Sequence, residues 1–200
     1  MGNTRAEIVG AADRLFYERG FEATSFADIA EVVGLSRGNF YYHFKTKDEI
    51  LSAVIELRLA TTKAMLDAWE EEVGSAEERI LRFIRILIVN RLKIMAHGCP
   101  VGTLSNELAK LDHGAKGEAV GLFTLFREWL ARQFTAFGRE SEADALALHI
   151  LMRSQGVATL ATAFRDEAFI QREVDDMTIW LQAQDPSRSV KPQSDPLLSL

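Results

Sequence analysis

The chain has 200 residues, of which 48% are hydrophobic and 26% are charged, a balance typical of a globular protein that buries a core. Its formal net charge is −6, and carboxylates outnumber cations even in residues 1–50, which excludes nucleic-acid binding through bulk positive charge. One cysteine excludes an internal disulfide and no apolar run is long enough to span a membrane, so we expect a cytoplasmic protein with no membrane partner.

The first predicted helix begins near Thr4 and ends at Gly20. Thr4 and Glu7 have the spacing of a capping box. The apolar residues that follow recur at helical spacing: Ile8, Ala11, Ala12, Leu15 and Phe16. Gly20 supplies the stop, with Phe21 as the apolar residue beyond it. We expect this helix to pack across the two helices that come next.

Residues 26–47, FADIAEVVGLSRGNFYYHFKTK, predict two short helices joined by a tight turn. Gly34 supplies the turn, because a positive φ is cheap only for glycine. Ser36 is the expected N-cap of the second helix, which should run over residues 37–44. The apolar residues that these two helices should bury are Ile29, Ala30, Val33, Phe40 and Phe44.

The outward residues of the second helix carry the chemistry that reads DNA in a major groove. Arg37 can fork onto guanine, Asn39 can pair with adenine, and Gly38 lets the backbone come close. Hydroxyl, imidazole and ammonium groups beside them can donate to phosphate oxygens. A solvated helix face is the other interpretation. The predicted DNA contacts are Thr24, Ser25, Ser36, Arg37, Gly38, Asn39, Tyr41, Tyr42, His43 and Lys47.

Residues 15–51, LFYERGFEATSFADIAEVVGLSRGNFYYHFKTKDEIL, resemble the N-terminal signature of TetR-family transcriptional regulators. The resemblance is specific because GF, the IA pair, GLS, YYHF and KDEIL occur in order at fixed spacing. It implies a ligand-responsive DNA-binding regulator, usually a repressor that leaves its operator when an effector binds.

Thr46 and Glu49 form a second capping box, and the helix that they begin should continue to about Trp69 and connect two domains. Ser75 restarts the chain after a break, and one apolar helix is predicted over residues 80–95. Most of its polar residues should face solvent, but some are candidates to face an effector cavity. The candidates on this helix are Asn90, Arg91 and Met95.

Residues 97–109, HGCPVGTLSNELA, predict a bend followed by a helix with Thr103 or Ser105 as its cap. Cys99 lies near that helix N-terminus beside His97, surroundings that favour a thiolate, although a small buried apolar residue is the other interpretation. No third orienting group is visible, so no catalytic site is predicted. The segment resembles GC-x-x-G-x-L-x-x-E in a TetR-family branch with NemR-like repressors, some of which sense electrophiles through cysteine.

The last part of the chain predicts three helices after a polar link. The first is rich in aromatic residues, and the next two should be capped by Ser141 and Asp166. The last two helices, with Trp180 in the second, are too apolar on all sides for a monomer surface, so we expect them to form a two-fold dimer interface. The predicted effector-binding residues are Asn90, Arg91, Met95, Cys99, Phe123, Phe126, Trp129, His149 and Met152.

The sequence therefore predicts an all-α homodimer. We expect a three-helix helix-turn-helix DNA-binding domain at residues 1–46, a helical effector-binding and dimerisation domain at 47–184, and a disordered tail at 185–200. The expected partners are a palindromic double-stranded DNA operator and a small-molecule effector, with no metal, no cofactor and no enzymatic activity. The alternative from another class is a small-molecule carrier or stress-sensing binding protein that does not engage DNA.

Overall fold

A computed structural model describes residues 4–188, and all regular structure in this range is helical. The predicted all-α fold is confirmed. The α-helices are α1 (Thr4–Arg19), α2 (Phe26–Val33), α3 (Arg37–His43), α4 (Lys47–Glu72), α5 (Ala76–Val89), α6 (Arg91–His97), α7 (Pro100–Lys110), α8 (Lys116–Ala136), α9 (Ala143–Phe164) and α10 (Glu167–Ala183). Between residues 4 and 188, none of the helices is long and apolar enough to cross a membrane.

The first three helices and the start of α4 pack around one apolar core. All the residues predicted for the α1 stripe are buried in it, together with Phe21 and both phenylalanines of the α3 region. Residues of α7, the residue just before α8 and a residue of α8 complete the same core: Leu104, Leu108, Ala115 and Ala119. The helix-turn-helix unit is therefore packed directly against the rest of the molecule.

Local caps fix the helix-turn-helix geometry. Ser25 accepts a hydrogen bond from the Asp28 amide at 3.2 Å, and the Asp28 carboxylate accepts one from the Ser25 amide at 2.7 Å. Gly34 has φ +65°, which confirms the predicted turn. Ser36 accepts from the Asn39 amide at 3.4 Å and begins α3 as predicted.

The connector α4 has 26 residues and joins the helix-turn-helix unit to a second apolar core. This second core is formed mainly by α5, α8, α9 and α10 and includes Ile84, Trp129, Phe134 and Ile150. Thr46 caps it by accepting from the Glu49 amide at 3.1 Å. The reciprocal half of the predicted capping box is wrong, because the Glu49 carboxylate instead accepts from the Lys45 amide at 2.7 Å. At the far end of α4, the buried Gln133 amide donates to Glu70 at 2.9 Å and holds α8 against the connector.

Three predicted boundaries are wrong. The helix expected over residues 80–95 breaks at Asn90, whose own side chain donates to the Ile86 carbonyl at 3.2 Å and ends α5. Helix α7 begins at the residue after Cys99, so the hydroxyl of Thr103 lies inside the helix and donates to the Cys99 carbonyl at 2.8 Å. Ser141 lies in a 3-10 turn before α9 and does not cap that helix.

Two further predictions concern the C-terminal end, namely the Asp166 cap and the tail from residue 185. Asp166 caps α10 as predicted, accepting from the Phe169 amide at 3.1 Å. The tail predicted from residue 185 falls almost wholly outside the described residues. Its described beginning contains a short 3-10 turn, Pro186–Arg188.

Candidate DNA-binding surface and effector cavity

Helix α3 presents its predicted DNA-reading face to solvent. Gly38 and Asn39 are exposed, and Tyr42 is 80% exposed. The Tyr41 ring stacks on Phe26 with centroids 5.5 Å apart, and Tyr41 is 48% exposed. The remaining predicted reader of bases, Arg37, has its backbone in the first turn of α3, and its side chain lies outside the described part of the structure.

The flanking serine and histidine residues are also at the surface. Ser36 is exposed and uses its oxygen to accept from the helix, so its hydroxyl proton is available to an acceptor. His43 is half-buried and packs edge-on against Tyr42, with ring centroids 5.1 Å apart. Ser25 is exposed, but its hydroxyl donates to the Asp28 carboxylate at 2.5 Å. That hydrogen bond is the main reason that the pKa of Asp28 lies below its usual value.

The prediction that the Thr24 hydroxyl contacts phosphate is wrong. Thr24 is 1% exposed, and its hydroxyl donates to the Gly20 carbonyl at 2.7 Å. A buried hydroxyl needs such a partner, so this side chain closes the α1–α2 loop instead of facing DNA.

Lys47 has a structural partner that the sequence did not predict. Its ammonium donates to the Phe21 carbonyl at 3.0 Å and lies 4.3 Å from the centre of the Phe21 ring. These contacts tie the start of α4 to the α1–α2 loop. A lysine has three donors, so a phosphate contact by Lys47 remains compatible with this geometry.

A cavity of about 740 Å³ lies between the connector, the second core and the polar side of α1. Its size falls within the range of small-molecule sites. Its lining comes from seven helices and the α6–α7 bend: Asp13, Arg14, Tyr17, Glu18, Arg58, Thr61, Thr62, Phe83, Ile86, Leu87, Asn90, Lys93, Ile94, His97, Cys99, Pro100, Val101, Phe123, Phe126, Leu151, Ser154, Gln155 and Ala158.

Four of the predicted effector-binding residues line this cavity. Phe126 packs edge-on against Phe83 with centroids 5.4 Å apart, and Phe123 is on the same side of α8. Asn90 lines it from the break between α5 and α6. Cys99 is half-buried at the start of α7, and its sulfur accepts a weak hydrogen bond from the Gln155 amide at 3.5 Å.

The other five predicted cavity residues do not line it. Two of them lie on α6, whose side chains point in new directions because the helix starts afresh at Arg91 after the break at Asn90. Arg91 forms an ion pair with Glu167, and Met95 packs against the second core. Trp129 is 1% exposed and packs on Trp69, beyond the aromatic cavity residues of α8. The remaining two lie on α9: His149 stacks on Trp180, and Met152 is 64% exposed on the outer side of that helix.

Tyr17 is a cavity residue that sequence reasoning missed. Its hydroxyl donates to the carbonyl of Gly98 at 2.8 Å and lies 3.1 Å from that of Lys93, so α1 is bonded to the α6–α7 bend. Burial, with a smaller contribution from Cys99, raises the pKa of Tyr17 to about 12. The hydroxyl therefore remains a donor at physiological pH.

Arg58 is the second missed residue. It is buried, and its guanidinium donates to the Asp13 carboxylate of α1 at 2.5 Å and to the Pro100 carbonyl of α7 at 2.7 Å. It thus connects three helices at one wall of the cavity. The sequence carried a signal for it, because position 58 follows the buried residues 51, 54 and 55 at helical spacing on α4.

Helix α7 is also hydrogen-bonded to the α1–α2 loop. The two carboxylate oxygens of Glu107 accept hydrogen bonds from the backbone amides of Phe21 and Glu22, both at 2.9 Å. His113, just after α7, packs edge-on against the Phe21 ring at 5.2 Å. The loop that leads into α2 is therefore held from the same helix whose first residues line the cavity.

Comparisons with known proteins support the identity of the N-terminal unit. Residues 8–54 match the family described as bacterial regulatory proteins, tetR family. The HTH-type transcriptional regulator TtgR of Pseudomonas putida is 37% identical over 93 residues, which cover 46% of this chain. The match covers 44% of TtgR, so the chain spans less than half the length of that relative.

Longer matches are more distant. An uncharacterized HTH-type transcriptional regulator in the lacX 3′ region of Lactococcus lactis subsp. lactis is 28% identical over 181 residues, covering 86% of this chain and 90% of that protein. A TetR transcriptional regulator from Legionella pneumophila has a TM-score of 0.79 and 24% identity, covering 92% of this chain and 97% of that one. The reduced form of Escherichia coli NemR has a TM-score of 0.75 and 18% identity, and the match covers 87% of this chain and 95% of that one. These two structural likenesses show the fold.

Proposed function

We propose that this chain is a ligand-responsive transcriptional repressor of the TetR family of bacterial regulatory proteins. A homodimer holds a palindromic operator through α3 of each protomer and leaves it when a small molecule fills the cavity. The observation that carries the proposal is the position of α1. Its apolar side packs in the helix-turn-helix core, and its polar side forms a wall of the cavity.

The exposed face of α3 supports major-groove reading. A seven-residue helix with glycine and asparagine in its first turns brings its N-terminal end close to base edges. Arg37 and Asn39 are the proposed readers of bases, and Tyr42 and Lys47 are proposed phosphate contacts. Because the chain is acidic overall, these local donors must supply the affinity.

The contacts around α7 support a route from the cavity to DNA. A ligand that displaces the α6–α7 bend acts on the Tyr17 and Arg58 hydrogen bonds, which end on α1 and α4. The same displacement moves α7, which holds the α1–α2 loop through Glu107. A ligand shifts the equilibrium only by binding one arrangement more tightly, so the released form must have the better-fitting cavity.

The outer side of α9 supports the homodimer. Exposed apolar residues recur along it at helical spacing, with one more on α10: Leu148, Met152, Leu160, Phe164 and Ile179. Gly156 lies within this stripe, and apart from its chain neighbours and the backbone of its own helix, no described atom is within 4 Å of the position that its Cβ would take, so another helix can approach closely. With a two-fold axis here, we expect the operator to have half-site centres about one turn of DNA apart or a little more.

Replacing Glu107 by glutamine tests whether its two hydrogen bonds hold the α1–α2 loop in place. A glutamine side chain has one acceptor oxygen, so one of the two amides loses its partner, and the expected cost is about 1 to 2 kcal/mol in the free energy of unfolding. Exchange of the Phe21 and Glu22 amides with solvent should accelerate. The exposed Glu128→Gln is the charge-matched control. Unchanged exchange in Glu107→Gln would show that the loop is held by other contacts.

Operator binding tests the proposed function. The full chain should bind DNA from upstream of its own gene, and the logarithm of the association constant should fall linearly with the logarithm of salt concentration. Asn39→Ala should weaken binding to this DNA by about 1 to 3 kcal/mol and leave binding to random DNA unchanged. Asn106→Ala, on the exposed side of α7, is the control. A carrier that does not engage DNA would show no salt-dependent binding.

A further inference from the structure

We propose that the effector is an amphiphile, an aromatic framework with a polar group at one end, and that it binds with this polar end at the opening of the cavity. The aromatic end then faces the second core. This inference rests on the proposed function, since it names the chemical class of the effector and its orientation. It follows from the way in which polar and apolar lining residues are divided between the helices.

One side of the cavity is polar. Every lining residue that α1 and α4 provide carries a polar or charged group. The two helices are joined there, because the Arg58 guanidinium donates to the Asp13 carboxylate at 2.5 Å. Helix α6 reaches the same place, since the Tyr17 hydroxyl lies 3.1 Å from the Lys93 carbonyl. The polar lining residues of these three helices are Asp13, Arg14, Tyr17, Glu18, Arg58, Thr61, Thr62, Lys93 and His97.

The cavity opens to solvent on this polar side. We call the exposed lining residues of α1, α4 and α6 the mouth: Arg14, Glu18, Thr61 and Lys93. Pro100, at the start of α7, is the other exposed lining residue. The mouth offers hydrogen-bond donors, acceptors and charges of both signs, so it suits polar groups of more than one kind. A polar group that stays at the mouth keeps its contact with water and avoids the cost of desolvation.

The opposite side of the cavity is apolar. Every lining residue that α5 and α8 provide is apolar, and α6 and α9 add further apolar residues. We call this set the floor: Phe83, Ile86, Leu87, Ile94, Phe123, Phe126, Leu151 and Ala158. All of them belong to the second core or pack against it, so the floor lies away from solvent. Phe83 and Phe126 form an edge-to-face pair, and aromatic ligands gain additional energy against such rings.

The buried polar residues of the lining already have partners. They are Ser154, whose hydroxyl donates to the Leu151 carbonyl at 2.8 Å, and Arg58, which is bonded to Asp13 and to the Pro100 carbonyl. Within residues 4–188, the buried side-chain atoms without a hydrogen-bond partner lie outside the lining, in Ser105, Trp129 and His149. No buried atom of the lining therefore requires a polar group of the ligand, and burial of apolar surface supplies the affinity at the floor.

Three probes with one framework test the orientation: 4-hydroxystilbene, its ether with one triethylene glycol chain, and the stilbene that carries such a chain at each end. The cavity of about 740 Å³ accommodates two connected rings. In calorimetric titrations of the full chain without DNA, the one-chain ether should bind within about tenfold of 4-hydroxystilbene, because its chain leaves through the mouth.

The two-chain probe should bind at least about 100-fold more weakly than the one-chain ether, because its second chain must be desolvated against the floor. Loss of binding by the one-chain ether, or similar binding of the one-chain and two-chain probes, overturns the orientation. No binding of 4-hydroxystilbene overturns the chemical class.

Two variants test the position of the mouth. Thr61→Trp and Lys93→Trp each place a bulky side chain at an exposed position of it, whereas Glu128→Trp, exposed on α8 outside the lining, is the control. A narrowed opening slows entry and exit alike. In at least one mouth variant, the association and dissociation rate constants of 4-hydroxystilbene should therefore both fall at least about fivefold, with a smaller change in the dissociation constant.

Rate constants that stay unchanged in both mouth variants, or that do not fall together, overturn the assignment of the mouth. Operator binding by the ligand-free chain is measured separately. Probe binding without operator binding would contradict the repressor function alone, and operator binding without probe binding would contradict this inference alone.

Discussion

Replacing Met152 by glutamate is expected to separate the proposed dimer and to lower operator affinity at least about 100-fold. A single protomer binds one half-site, so it loses the increase in affinity that two linked recognition helices give when they bind two half-sites together. Met152 is 64% exposed in the protomer, so the change should leave the monomer folded. In a dimer the same carboxylate would be buried against an apolar surface without a partner. Sedimentation velocity and operator titration at equal salt measure the two effects.

The choice of Met152 depends on the structure. The sequence placed Trp180 in the interface, but its ring stacks on His149 with centroids 4.4 Å apart and is partly buried in the second core. A charge at position 180 would therefore disturb the protomer itself. Val89→Glu is the matched control, since Val89 is 77% exposed at the end of α5. If Met152→Glu remains a dimer with full operator affinity, the outer side of α9 is not the interface.

The helix-turn-helix unit could be predicted from sequence because its signals are local. Ser25, Gly34 and Ser36 each act on backbone groups within a few residues, so capping and turn rules find them without knowledge of the rest of the fold. Thr24 shows where this reasoning ends. A threonine before a helix can face a phosphate or close a loop, and only the packing of α1 decides between them.

The cavity could be predicted only in part because its membership depends on helical phase and on distant contacts. On α9, Leu151 and Ser154 face the cavity, whereas Met152 lies on the outer side about 100° away from its neighbour. The break at Asn90 changes the direction in which the side chains of the next helix point, so Arg91 does not line the cavity. Tyr17 was missed because the polar side of α1 gives no local indication that it forms a cavity wall.

Removing the Asp13 carboxylate is expected to cost about 2 to 3 kcal/mol in the free energy of unfolding, measured by urea denaturation. Arg58 is 9% exposed, so Asp13→Ala leaves a buried guanidinium with only carbonyl partners. The figure lies below the range for fully buried pairs because the Asp13 side chain is 36% exposed and partly screened by water. Arg58→Met should cost less, since the carboxylate that remains can be hydrated.

A double-mutant cycle measures the interaction energy between the Asp13 and Arg58 side chains apart from the losses that each substitution causes through its other contacts. The combined Asp13→Ala and Arg58→Met variant should be at least about 1 kcal/mol more stable than the sum of the single losses predicts. The exposed Lys63–Asp67 pair of α4 is the control, and Asp67→Ala should change stability by less than about 0.5 kcal/mol. Losses at Asp13 and Arg58 that simply add would mean that the two side chains stabilise the protein independently. In that case the side-chain pair would not couple α1 to α4, and α1 would be held to the α6–α7 bend by the Tyr17 hydroxyl and by the hydrogen bonds of Arg58 to the Asp13 and Pro100 backbone carbonyls.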